Sequence, residues 1–149
     1  MKLLSGLSTA LLYLLPSFNA GDTTIFGHDE AKVKNPIKVN EAFLKTSEAT
    51  DSMIGSIIEA VSNDEDLVLF FYADWCPACQ EFKVLYNLLL ENSFFKEHGV
   101  TAYRVDADKA AELTARFFIL SLPTIIHIHE GKVRNISSLR WKLVEYFDL

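Results

Sequence analysis

The chain has 149 residues, half of them hydrophobic, which by length is about one domain and by composition enough for a filled core. Fourteen Lys and Arg against 20 Asp and Glu leave a formal net charge of −6. No basic stripe is present to neutralise phosphates, which argues against nucleic acid as a partner; the scattered charges read as a solvated acidic surface.

Lys2 is followed by an apolar or small run from Leu3 to Leu15, then Pro16, Ser17, Phe18, Asn19 and Ala20. A short basic stretch, an apolar core and a small-residue exit read as a secretory signal peptide over residues 1–20, with cleavage expected after Ala20. The run falls short of the ~20 residues that span a bilayer. An uncleaved signal anchor is the alternative, and a membrane enters the expectations only through it. Phe117 to Ile128 is the next most apolar stretch, but Ser121, Pro123 and His127 interrupt it and make it core-like. Residues 21–36 are polar and aperiodic, a flexible N-terminal arm with Asn35-Pro36 as a stop. The folded domain is expected over residues 37–149, with Ile37, Val39 and Phe43 in a first short strand or turn.

Met53, Ile54, Ile57, Ile58 and Val61 recur at helical spacing, with Thr50 or Asp51 as the N-cap. Gly55 weakens this helix somewhat. Asn63-Asp64-Glu65-Asp66 ends it as a polar turn. Leu67 to Tyr72 is an unbroken apolar run, suited to a central strand buried on both faces. A long helix is expected from Ala78 to about His98, with Phe82, Leu85, Tyr86 and Leu89 on one face and Gly99 just past its end. Val100 to Val105 reads as a strand. Asp106 or Asp108 is the expected cap of a helix through Lys109, Leu113 and Phe117. Thr124 to His129 is a further strand, turning at Glu130-Gly131-Lys132 and returning through Val133 to Ile136. Leu139, Leu143, Tyr146 and Phe147 mark a closing helix with Ser137 or Ser138 as its cap. Strands alternating with helices imply an α/β layer fold with helices on both faces of the sheet.

The only two cysteines, Cys76 and Cys79, stand in Trp75-Cys76-Pro77-Ala78-Cys79, where the apolar strand gives way to the long helix. Secretion would place them in an oxidising compartment. A structural disulfide over so short a span closes a very small loop and stabilises little, so a switchable dithiol is the better reading. Unpaired N–H groups and the helix dipole favour negative charge at a helix start, so a thiolate at Cys76 is stabilised there. Cys76 is therefore the expected attacking sulfur and Cys79 the resolving one. Pro77 suits the first helical turn. Trp75 is placed to cover the site, or is simply a partly buried aromatic.

Phe71-Tyr72-Ala73-Asp74-Trp75-Cys76-Pro77-Ala78-Cys79 resembles the active-site segment of the thioredoxin superfamily, and of protein disulfide isomerases in particular. Val105-Asp106, Arg116-Phe117, Leu122-Pro123-Thr124 and Gly131 follow in the family's order. Pro-Ala between the cysteines looks like the transmembrane thioredoxin-related proteins of the endoplasmic reticulum. The resemblance implies a thioredoxin fold with a mixed sheet. It also implies a cis Pro123 beside the disulfide, a Leu122 backbone that pairs with extended substrate, and an Arg140 that modulates the resolving cysteine. Its implied activity is thiol–disulfide oxidoreduction or isomerisation on client protein disulfides.

The chain departs from the family at several positions. Phe70 stands where the family commonly has a buried acid serving the second cysteine, so slow turnover is expected. Val84 replaces the proline that usually kinks the active-site helix, and Ser138 replaces a usual Gly. No histidine lies between the cysteines, so a potential more reducing than the about −180 mV of protein disulfide isomerase is expected.

The expected partners are cysteine-containing clients and a redox partner, in the endoplasmic reticulum lumen or in secretion, with a monomeric chain and no cofactor. The alternative is a redox-weak thioredoxin-like module that holds clients without turnover. Cys76, Cys79, His127 and His129 make a Cys₂His₂ set on paper, but the histidines are expected on a part of the sheet remote from the thiols, and no metal is assigned. Asn135-Ile136-Ser137 is an N-glycosylation acceptor triplet, of a kind that also arises by chance.

Overall fold

The computed structural model describes Asn40, Leu44, Lys45 and residues 47–149, all within the unit Lys38–Leu149. The expected signal peptide, N-terminal arm and first strand or turn at Ile37, Val39 and Phe43 lie outside the described residues.

Leu67–Tyr72 (β1) is the strand around which the others are laid, and all six of its residues are buried. Thr101–Asp106 (β2) runs parallel to it, with Leu67 opposite Thr101 and Tyr72 opposite Asp106. Thr124–His129 (β3) runs antiparallel on the other side, with Leu67 opposite Ile128 and Phe71 opposite Thr124. Lys132–Asn135 (β4) pairs with β3 and closes a mixed sheet of order β2-β1-β3-β4. Between β3 and β4, Glu130 and Gly131 have φ of 50° and 67°, the two left-handed positions that a type I′ hairpin turn requires.

The strand period of two sorts β1 between two cores. Val68, Phe70 and Tyr72 join Phe82, Tyr86 and Leu89 of Pro77–Glu91 (α2), Phe95 of Phe94–Glu97 (α3) and Leu143 of Leu143–Phe147 (α5). Leu67, Leu69 and Phe71 join Ile54 and Ile57 of Ile54–Ser62 (α1) and Leu113 of Ala111–Arg116 (α4) on the opposite face. Helices therefore cover both faces, as the alternation of elements implied. Phe70 is wholly buried, 4.9 Å from the rings of both Phe82 and Tyr86; burying such a side chain contributes about 1.5–3 kcal/mol.

Three local expectations are corrected. The single helix from Ala78 to His98 is two. α2 ends at Glu91, the Asn92 amide donates to the Leu88 carbonyl at 2.7 Å, and Ser93 takes φ 58° before α3 starts. At about 100° per residue an unbroken helix would turn Phe95 away from Phe82. The break instead sets Phe95 against Tyr86 (5.2 Å) and Phe147 (5.8 Å). Gly99 then ends the region at φ 72°, as expected.

Neither Asp106 nor Asp108 caps α4. Asp106 Oδ1 instead accepts the Asp108 N–H. The capping carboxylate comes from Asp51, whose Oδ1 accepts from Leu113 N at 2.8 Å and Oδ2 from Glu112 N at 3.2 Å. Asp51 thus caps a different helix from the one its place in the sequence suggested. Thr50 precedes the 3₁₀ turn Asp51–Met53 but makes no side-chain capping bond.

The closing helix is mostly not α-helical: Ser137–Lys142 is 3₁₀ and only α5 is α. Ser137 does not cap it, because its hydroxyl donates to Asn135 Oδ1 and accepts from Ile125 N.

Candidate redox site

β1 delivers the chain to Ala73-Asp74-Trp75, and α2 begins at Pro77. Cys76 holds the N-cap with extended φ −94° and ψ 107°, and its Sγ accepts the Cys79 N–H at 3.2 Å. A helix start leaves its first N–H groups unpaired. Here one of them is aimed at sulfur, where it and the helix dipole favour a thiolate. Pro77 sits in the first turn, where it has no N–H to leave unpaired. The two sulfurs are bonded, with Cα atoms 5.2 Å apart. Cys76 is 5% exposed and Cys79 0%, so the first cysteine is the more accessible residue.

The surrounding loop is held by side chains. The Gln80 amide donates to the Ala73 carbonyl at 3.1 Å. The Trp75 indole N–H donates to Asp108 Oδ2 at 2.9 Å, and the ring itself is 70% exposed. Ala78 is exposed on the first turn of α2. The Leu122–Pro123 peptide is cis. The next residue, Thr124, pairs with Phe71 near the end of β1, so Pro123 lies at the end of the sheet from which the cysteine loop departs. Leu122 is partly buried against both cores, while Phe118 and Leu120 in the preceding loop are exposed.

The other expected site residues make contacts of their own. Arg140 Nη1 donates to the Ser137 carbonyl at 3.2 Å and its guanidinium lies 5.9 Å from the Trp141 ring; among the described residues no hydrogen bond joins it to Cys79. Asn135 ends the exposed β4, and its Oδ1 accepts the Ser137 N–H at 3.0 Å. His127 and His129 meet Asp66 rather than the cysteines, so the Cys₂His₂ set is not assembled.

Phe70 is paired in register with Arg104, which is buried. With a ring rather than a carboxylate at Phe70, the guanidinium finds its anion elsewhere: Arg104 Nη2 lies 2.9 Å from Glu48 Oε2. The Tyr72 hydroxyl donates to Glu48 Oε1 at 2.6 Å. Burial and that bond push the Tyr72 pKa far up, and burial does the same for Tyr86, so both stay neutral donors. Glu48 and Asp66 were missed by sequence reasoning. Each belongs to a polar stretch with no periodicity, and only strand register shows what it faces.

A mixed sheet covered on both faces, with a bonded cysteine pair starting the helix after the central strand and a cis-proline opening the antiparallel one, defines a thioredoxin fold. The thioredoxin family profile matches residues 48–144. The chain belongs to the thioredoxin family, which supports thiol–disulfide oxidoreductase activity generally. It is 40% identical over 81 residues to thioredoxin-related transmembrane protein 1 of Homo sapiens, covering 52% of this chain and 27% of that protein. It is 33% identical over 77 residues to a thioredoxin of Mycoplasmoides gallisepticum, covering 52% of this chain and 73% of that one. Among solved structures, the germline-specific thioredoxin Deadhead of Drosophila melanogaster superposes with a TM-score of 0.53 at 27% identity, covering 68% of this chain and 95% of that one. The chain spans only about a quarter of the transmembrane relative, and among the described residues no helix is long and apolar enough to cross a membrane.

Proposed function

We propose that this chain is a thiol–disulfide oxidoreductase acting on protein disulfides in the secretory pathway. The observation that carries the reading is Cys76 Sγ at the N-cap of α2, receiving the Cys79 N–H, with Cys79 buried behind it.

In the reduced protein the Cys76 thiolate attacks one sulfur of a client disulfide. A bond forms between Cys76 and that sulfur, and the other client sulfur leaves as a thiolate and takes up a proton. Cys79 then gives up its proton and attacks Cys76 Sγ. The second client thiol is released and the Cys76–Cys79 bond forms. The client gains two electrons and two protons, and the dithiol loses them. The reverse sequence oxidises a client, and a separate dithiol or disulfide partner resets the pair. With an apolar ring at Phe70, proton removal from Cys79 falls to water or another group, which makes the resolving step slow. Without a histidine between the cysteines, the potential lies below about −180 mV; a redox titration reaching that value would overturn this.

Trp75, Pro77, Ala78, Leu122 and Pro123 support the site in this reading, Arg140 through its 3₁₀ segment. The signal-like residues 1–20 and the likeness to a transmembrane thioredoxin-related protein support an endoplasmic reticulum lumen assignment, with Asn135 open to a glycan.

Disulfide reduction by the mature protein, measured beside Cys76→Ser and Cys79→Ser, tests the reading. Wild-type turnover absent in Cys76→Ser, with client adducts accumulating on Cys79→Ser, is the expected result. A wild type no faster than Cys76→Ser would assign the chain to client holding instead.

A further inference from the structure

We propose that Asp66, His127 and His129 form a binding site for a zinc-type divalent cation, at the end of the sheet opposite the cysteines. Three elements meet there. Asp66 immediately precedes β1, and continuing the β1–β3 register sets it opposite His129. His127 and His129 are two apart on β3 and so share a face. His127 Nε2 lies 2.5 Å from Asp66 Oδ1, and His129 Nδ1 lies 2.7 Å from Asp66 Oδ2. One ligand atom from each of the three side chains lies within 4.8 Å of the others.

Two imidazoles and a carboxylate suit zinc, with a fourth position left to water. Zinc at about 2.0–2.1 Å from its ligands holds them roughly 3.3 Å apart, so the two hydrogen-bonded contacts open by less than about 1 Å and the widest ligand separation, at most 4.8 Å, closes by at most about 1.5 Å. His127 is buried, while His129, 42% exposed at its side chain, leaves a way in for ion and water.

The far nitrogens carry the argument further. A metal-bound imidazole is held best when its other nitrogen donates to a nearby acceptor. His127 Nδ1 is 2.8 Å from the Tyr146 hydroxyl of α5, and His129 Nε2 is 3.8 Å from Glu130 Oε1. Without a cation, the inner nitrogen of each imidazole donates its N–H to an Asp66 oxygen, because a lone pair facing a carboxylate at these distances is repulsive. With a cation, each proton shifts to the outer nitrogen. His127 then donates to the Tyr146 oxygen and His129 turns its N–H toward Glu130. Both inner lone pairs are freed for the metal, and no redox step is involved.

The test is a zinc chloride titration of the oxidised full chain by calorimetry, so that the cysteines are held in their disulfide. One equivalent should bind, and the melting temperature should rise with zinc. Affinity should fall about tenfold or more in His129→Ala and in Asp66→Asn. His98→Ala should bind as the wild type does. His129→Ala alone decides if Asp66→Asn fails to fold, since His129 is partly exposed. Cobalt(II) in place of zinc should give the visible spectrum of a tetrahedral site, lost in the same variants. Absence of binding to the oxidised wild type, or unchanged affinity in His129→Ala, would overturn the proposal.

Discussion

The two ends of β1 carry two groups of reactive side chains built in opposite ways. At its C-terminal end, Cys76 and Cys79 belong to one stretch of chain, and the donor aimed at Cys76 is the N–H of Cys79 itself. At its N-terminal end, Asp66, His127, His129 and Tyr146 come from three separate parts of the sequence. The first is a local device of a helix start. The second exists only when the strands are in register and α5 is docked. An aromatic chain spans the interval on one face of the sheet, from Phe70 through Tyr86, Phe95 and Phe147 to His127, with centroid separations of 4.9, 5.2, 5.8 and 5.0 Å.

The largest expected effect separates the two ends. Cys76→Ser should abolish disulfide reduction while leaving the melting temperature of the reduced protein close to that of reduced wild type. A large loss of stability in the reduced state would mean that the cysteine end is less self-contained than its local construction implies. Phe70→Ala should act on both ends, because it removes the first ring of the aromatic chain and the packing of the central strand against α2. A buried Phe→Ala change costs about 3–5 kcal/mol, to be read by denaturant unfolding; a cost under about 1 kcal/mol would break the idea of a shared core.

Asp51→Ala removes the cap of α4 on the other face of the sheet. It should cost about 1 kcal/mol and leave disulfide reduction unchanged. Loss of activity there would show coupling through the sheet that the comparison omits.

The smallest effect concerns His98. Its hydrogen bond to the Phe94 carbonyl, and then its contact with Asp148, raise its pKa above the ordinary value. A raised folded value means stability fully present below the unfolded pKa of about 6.5 and lost as pH rises through the folded value. The penalty of His98→Ala should therefore be larger near about pH 5.5 than near about pH 8.5. The pair is partly solvated, so the difference should stay below about 0.5 kcal/mol. Denaturant midpoints at the two pH values check it, and a penalty larger at the alkaline end would reverse the assignment.

Much of this was open to the sequence. The apolar run Leu67–Tyr72, the Gly131 turn and the cysteine spacing each express a rule that acts over a few neighbouring residues, so the central strand, the hairpin and the redox pair could be read directly. Residues that act at long range could not. Asp51 looked like the cap of its own helix and serves α4. Ser93 gave no signal that it would break a helix to bring Phe95 inward. Glu48 meets Arg104 because an isolated bridge sets it beside β2. The sequence by itself determined the fold class and the placement of two sulfurs at a helix start, because periodicity, capping and dipole are local. Only the tertiary structure decided which carboxylates meet Arg104 and the two histidines. Those pairings follow from strand register, which no short stretch of sequence contains.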